Sequence, residues 1–227
     1  MSNTVADPLD QVQLYGSANT NTLLLSGNAA KRAVEVTRDG AQFVANYEAK
    51  FGMMGRIFVV SFGSVTTPLT FLVTADKRPD WALRVPSGTT LIPISVETVL
   101  EAAAGTLTEI DIRIAQNDIG SGSSSAATVG PISTRTDQPV TSLVVARQLY
   151  TGDATAETNP VSVHRQTFPL AQSSGLIPYS DYWRPVFGSI LVVGAGTLEG
   201  FVAATSTQAT GFVVAMFAEA PSGLVTG

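Results

Sequence analysis

His164 is the only histidine in the chain, so a Ser-His-Asp arrangement or a histidine-rich metal site would have to pass through it. Its setting, Val161-Ser162-Val163-His164-Arg165, reads as a strand with an arginine alongside, and no Gly-x-Ser-x-Gly elbow occurs in the sequence. Glu109 and Asp111 stand two residues apart on one face of an alternating stretch, the spacing of a carboxylate pair that could work on a glycosidic bond. Arg113 continues the same face, and three alternating charges in a row read instead as a solvated ladder. Cysteine is absent, which removes disulfides and thiolate metal sites, and neither a phosphate loop nor a dinucleotide fingerprint is present. These residues point to a protein that is not an enzyme, with no catalytic residues, no cofactor and no metal.

Tyr179, Tyr182 and Trp183 form the other group with chemical potential, gathered between Pro178 and Pro185. Aromatic rings on a surface segment can stack on a sugar or anchor a protein partner, because they offer large contact area for little entropy lost. They can equally plug one end of a core, and the three readings stay open. Met53-Met54, between Gly52 and Gly55, supplies adaptable packing of a similar kind.

The elements that would hold these residues are strands. Ile92, Ile94, Val96, Thr98 and Leu100 alternate with Pro93, Ser95, Glu97 and Glu101, and Ile110, Ile112 and Ile114 alternate with Asp111 and Arg113. Thr89 to Glu101 and Leu107 to Gln116 thus predict an antiparallel hairpin with one dry face. Further strands are expected at Lys31–Thr37 with Ala41–Phe51 as its return partner, Arg56–Phe62, Leu69–Thr74, Thr141–Tyr150, Val161–Leu170, Phe187–Val193, Leu198–Ala204 and Gly211–Ala218, while Trp81–Val85 leads through Pro86-Ser87-Gly88 into the hairpin. Pro178–Pro185 reads as irregular, and no helical pattern of ten or more residues is found. Short strands between Gly, Pro, Ser and Thr turns predict an all-β antiparallel sandwich, with a single jelly roll as its topology. Residues 1–30, polar apart from Leu23-Leu24-Leu25, are expected as an extended arm, and 31–227 as the sandwich domain, with Gly120–Gly130 as a flexible loop within it or, in the alternative reading, a linker between two domains.

Only 14% of the 227 residues are charged, against about 25% in an ordinary soluble domain. Neighbouring subunits would account for a surface so poor in charge, as would the small-residue-rich composition of many β proteins. A net charge of -5, with no Lys or Arg in 1–30 or 185–227, argues against direct nucleic-acid binding. The first residues lack a secretory pattern, and no apolar run is long enough for a membrane span, which suggests synthesis and folding in a cytoplasm. Between Pro185 and Gly227 the only charges are Glu199 and Glu219. In Gly211–Ala218 both alternation classes are apolar: Phe212, Val214 and Met216 on one face, Val213, Ala215 and Phe217 on the other. One face can fill the core, so these six residues are the candidate subunit interface, with Leu23-Leu24-Leu25 as the competing internal cover.

Arg84-Val85-Pro86-Ser87-Gly88-Thr89-Thr90-Leu91-Ile92-Pro93, followed by alternating strands, and the closing Gly211-Phe212-Val213-Val214-Ala215-Met216-Phe217 resemble jelly-roll structural proteins of viruses and bacteriophages. The similarity is to single jelly-roll capsid and capsid-decorating proteins, although the basic N-terminal arm of RNA-virus capsids is missing. The resemblance implies a self-assembling virion component, in a shell, decoration or spike, made in the host cytoplasm. Its partners would be copies of itself, as trimers or a larger lattice, and other virion proteins. A carbohydrate-binding sandwich module, using Tyr179, Tyr182 and Trp183, is the alternative.

Overall fold

The computed structural model describes the backbone of residues 12–17, 20–25 and 32–36, and residues 47–71, 79–102, 108–119, 127–137, 139–150, 157–168, 179–204 and 208–222. The chain forms two compact units, Met1–Asn46 and Tyr47–Gly227. In the first, β1 (Val12–Ser17), β2 (Thr20–Leu25) and β3 (Arg32–Val36) pair antiparallel in that order. Paired strands thus occur within residues 1–30, expected as an extended arm, and the first unit runs to Asn46. Val12-Gln13-Leu14 does alternate, but the polar average of the surrounding segment hides it.

The second unit opens with α1 (Tyr47–Met53), where a returning strand over Ala41–Phe51 was expected; residues 41–46 lie outside the described residues. Glu48 in the first turn and Lys50 in the last complement the helix dipole, and Gly55, at φ 68°, lets the chain leave the helix through the left-handed region. The strands follow as β4 (Ile57–Phe62), β5 (Leu69–Thr70), β6 (Trp81–Arg84), β7 (Thr89–Ala102), β8 (Thr108–Ala115), β9 (Ala127–Val129), β10 (Ile132–Ser133), β11 (Val145–Gln148), β12 (Val161–Phe168), β13 (Tyr179–Trp183), β14 (Val192–Val193), β15 (Thr197–Ala204) and β16 (Thr210–Pro221). One sheet runs β10-β4-β16-β7-β13, with β14 on β7 and β5 on β16; the other runs β12-β8-β15-β6-β11-β9. All pairings are antiparallel, so the unit is an antiparallel β-sandwich.

The pairings are nested in sequence. First meets last (β4 with β16), and inside them β6 meets β15, β7 meets β13 and β8 meets β12. Successive pairs fall in alternate sheets, as when one long hairpin is rolled up. This nesting overturns the expected hairpin: β7 and β8 lie in different sheets, β7 between β16 and β13, and β8 between β12 and β15. Alternation fixes which face of a strand is dry but carries no information about which strand lies beside it. The irregular reading of Pro178–Pro185 is likewise corrected, because Tyr179–Trp183 is a strand paired to β7. Of Phe187–Val193, only Val192–Val193 is strand.

Between the sheets lie Phe58, Val60 and Phe62 of β4, Val213, Ala215 and Phe217 of β16, and Leu91, Val96 and Leu100 of β7, facing Trp81, Leu83, Ile110, Ile112, Leu198 and Val202. Phe62 stacks on Trp81 at 5.5 Å and Phe58 on Phe217 at 5.7 Å between ring centroids. The register of β7 on β16 shifts between Met216 and Phe217, opposite Ser95 and Pro93. The bulge reverses the alternation, so that Leu91 points inward before it and Val96 after it, while Ile92 and Ile94 turn outward to pack with Ile57 and Ala218.

Candidate interaction site

The final strand occupies the middle of its sheet, and its alternation divides the six candidate interface residues. Val213, Ala215 and Phe217 are buried in the sandwich core. Phe212, Val214 and Met216 face outward and are half-buried. Met216 lies beside Val59, and Val59 beside Ile132, which is 73% exposed. Val214 lies between Ser61 and Glu97, with Tyr182 next to Glu97; Phe212 lies beside Val99. The outward side chains of β16 thus form an apolar stripe, with Ser61 and Glu97 on either side of its middle. One end of it is covered by α1 and the 184–191 segment, through Phe51 and Phe187.

The aromatic group is also divided by strand alternation. Trp183 is buried and Tyr179 half-buried, both against the core, while Tyr182 is 58% exposed. Tyr179 meets Phe168 at 5.4 Å and Trp183 stacks on the His164 ring at 6.2 Å, so the facing edges of β13 and β12 are zipped by aromatic pairs. His164 Nε2 lies 2.8 Å from Asp181 Oδ2 across the same gap. With Trp183 on its face and Asp181 on its ring nitrogen, the lone histidine clasps two sheets at an edge where no ladder hydrogen bonds join them.

On the outer face of the second sheet, Arg113 binds Asp111 at 2.7 Å and approaches Glu157 at 3.7 Å, and Arg165 binds Glu109 at 2.9 Å and Asp111 at 3.0 Å. Burial acts to raise the Asp111 pKa, but hydrogen bonds donated by Ser162, Arg113 and Arg165 outweigh it and hold the carboxyl below its usual range. This is the geometry of a charge ladder, and Asp111 is its ionised centre.

Glu199, which the sequence marked only as one of two charges in an apolar segment, sits beside Arg113 in the register. It is fully buried, and among the described residues neither carboxylate oxygen has a hydrogen-bond partner. Burial, reinforced by the charge of Glu157 and opposed by Arg113, pushes its pKa up to about 8. The Tyr150 hydroxyl, also buried and unpartnered, is pushed up to about 12, first by burial. By contrast Glu219, equally buried, accepts hydrogen bonds from the Ser142 hydroxyl and, at 3.2 Å each, from the Leu143 and Val144 N–H groups.

No protein-family model matches the chain, and no curated protein matches it either. Among the described residues no cluster of His, Asp or Glu could hold a metal ion, and no helix is long and apolar enough to cross a membrane.

Proposed function

We propose that this protein is a structural component of a virus or bacteriophage particle, a single jelly roll that works by assembling with copies of itself. The apolar outer face of β16, with Phe212, Val214 and Met216 flanked by Val59, Val99 and Ile132, is the observation that carries this reading. A sheet face of this kind aggregates in free solution unless a partner covers it. The nested pairing of β4 with β16 through β8 with β12 supports the jelly roll, a topology common to capsid and lectin domains. A second copy is the favoured partner because exposed apolar side chains also occur far along the chain from this face, at Leu143, Val161 and Val186. Several such positions on a chain with 14% charged residues suit a subunit with neighbours on more than one side. The acidic balance argues against direct contact with nucleic acid, and a particle component would be made in the host cytoplasm.

The test compares two double variants by sedimentation and electron microscopy. Phe212→Asp with Val214→Asp is expected to give a folded monomer, and Val213→Asp with Phe217→Asp an unfolded chain, while the unmodified protein forms trimers or a larger lattice. A monodisperse unmodified monomer at high concentration overturns the proposal. The carbohydrate-binding alternative now rests on Tyr182, the one ring of its group that is exposed. Specific binding on a glycan array, lost in Tyr182→Ala, would reverse the order of the two readings.

A further inference from the structure

A groove of about 730 Å³ lies on the outer side of the first sheet, within the ~300–1,000 Å³ typical of small-molecule sites. Ile92 and Ala220 line it from the sheet, Phe51 and Met54 from α1 and its following turn, and Phe187 and Leu191 from the segment before β14. The Phe51 and Phe187 rings touch, with centroids 5.9 Å apart, so the two walls meet there. Met54 and Leu191 remain exposed at the rim.

The groove also carries charge: Arg56 and Glu219 line it, and the Glu219 oxygens accept hydrogen bonds from the Ser142 hydroxyl and the Leu143 and Val144 N–H groups rather than from Arg56. Arg84, Arg113, Arg135, Arg165 and Arg184 each pair with a carboxylate. Arg56, half-buried, pairs with none among the described residues. In a molecule with 18 acidic and 13 basic residues, a partly buried arginine that lines an apolar groove and pairs with no carboxylate among the described residues is a place for an anion from outside.

We infer that the groove is a binding site for a single-chain amphiphile with a carboxylate head, its alkyl chain between Phe51, Met54 and Leu191 and its carboxylate on Arg56. An extended peptide fits less well. The strands beneath, β16 and β7, already pair with each other and leave no open ladder, so a peptide backbone would bury amides without partners. An alkyl chain carries no such groups.

The experiment titrates the full chain calorimetrically with sodium decanoate below its micelle concentration, beside decyltrimethylammonium and a short apolar acidic peptide. Decanoate is expected to bind at one site, with the cationic amphiphile at least about tenfold weaker, the loss of one charge-assisted contact. Arg56→Gln should weaken decanoate about tenfold and Arg56→Lys by less. Leu191→Glu, a change at an exposed rim position that leaves the core intact, should abolish binding, with the melting temperature confirming that the variant is folded. Absence of decanoate binding, equal binding of the cation, insensitivity to both Arg56→Gln and Leu191→Glu, or tighter binding of the peptide each overturns the assignment.

Discussion

Glu199 carries the sharpest conflict between a side chain and its surroundings: beside Arg113 in the register, both of its oxygens are buried and unbonded among the described residues. The unfolded carboxyl ionises near its ordinary 4.5 and the folded one near 8. Below the lower value both states are protonated, and the contribution of the protonated group to stability is complete. Between the two values the unfolded chain releases the proton and the fold keeps it, so stability falls by about 1.4 kcal/mol per pH unit and the loss is complete above about 8. Glu199→Gln, which cannot ionise, is expected to remove this slope. Denaturant unfolding at about pH 5 and pH 8 would show the difference between the two pH values shrinking by a few kcal/mol in the variant. An unchanged difference would show that Glu199 does not hold a proton in the fold.

At the scale of elements, close approach decides more than propensity. Gly200 in β15 lies under the Trp81 indole, and a Cβ there would fall 2.2 Å from both Cε2 and Nε1. Trp81 is fully buried and stacked on Phe62, so it cannot retreat without opening the core. Gly200→Ala is expected to cost about 1–3 kcal/mol, a drop of several degrees in Tm. Gly130→Ala is the control, since nothing lies within 4 Å of its added methyl, and its Tm should barely move. Equal melting of the two variants would refute the packing argument. The bulge in β7 belongs to the same scale: one extra residue opposite β16 sends Ile92 and Ile94 outward to become a floor for α1.

For the whole molecule, closure depends on the ends of the second unit. β16 sits between β4 and β7 and contributes Val213, Ala215 and Phe217 to the core, so removing residues 208–227 should leave a chain that does not fold. A fragment of residues 47–227 retains both sheets and is expected to melt in one cooperative transition, followed by near-ultraviolet circular dichroism of its tryptophans. Loss of cooperative melting in that fragment would mean that the division at Asn46 is not a folding boundary. Pairing β4 with β16 joins residues at opposite ends of this unit, and folding dominated by such contacts should be slow.

The sequence by itself determined that this is an all-β antiparallel sandwich, because two-residue alternation is written locally, strand by strand. It also marked β16 as apolar on both faces, from Phe212 to Phe217. Only the tertiary structure decided that Val213, Ala215 and Phe217 take the core and Phe212, Val214 and Met216 the outside, since a strand of uniform hydrophobicity does not say which face is which. The hairpin expected of β7 and β8 failed because neighbours in a nested roll are chosen by residues far along the chain. The clasp of His164 on Asp181, the unbonded burial of Glu199 and the unmatched charge of Arg56 arise for the same reason. Each depends on what a distant strand or loop brings to it, and no local pattern encodes that.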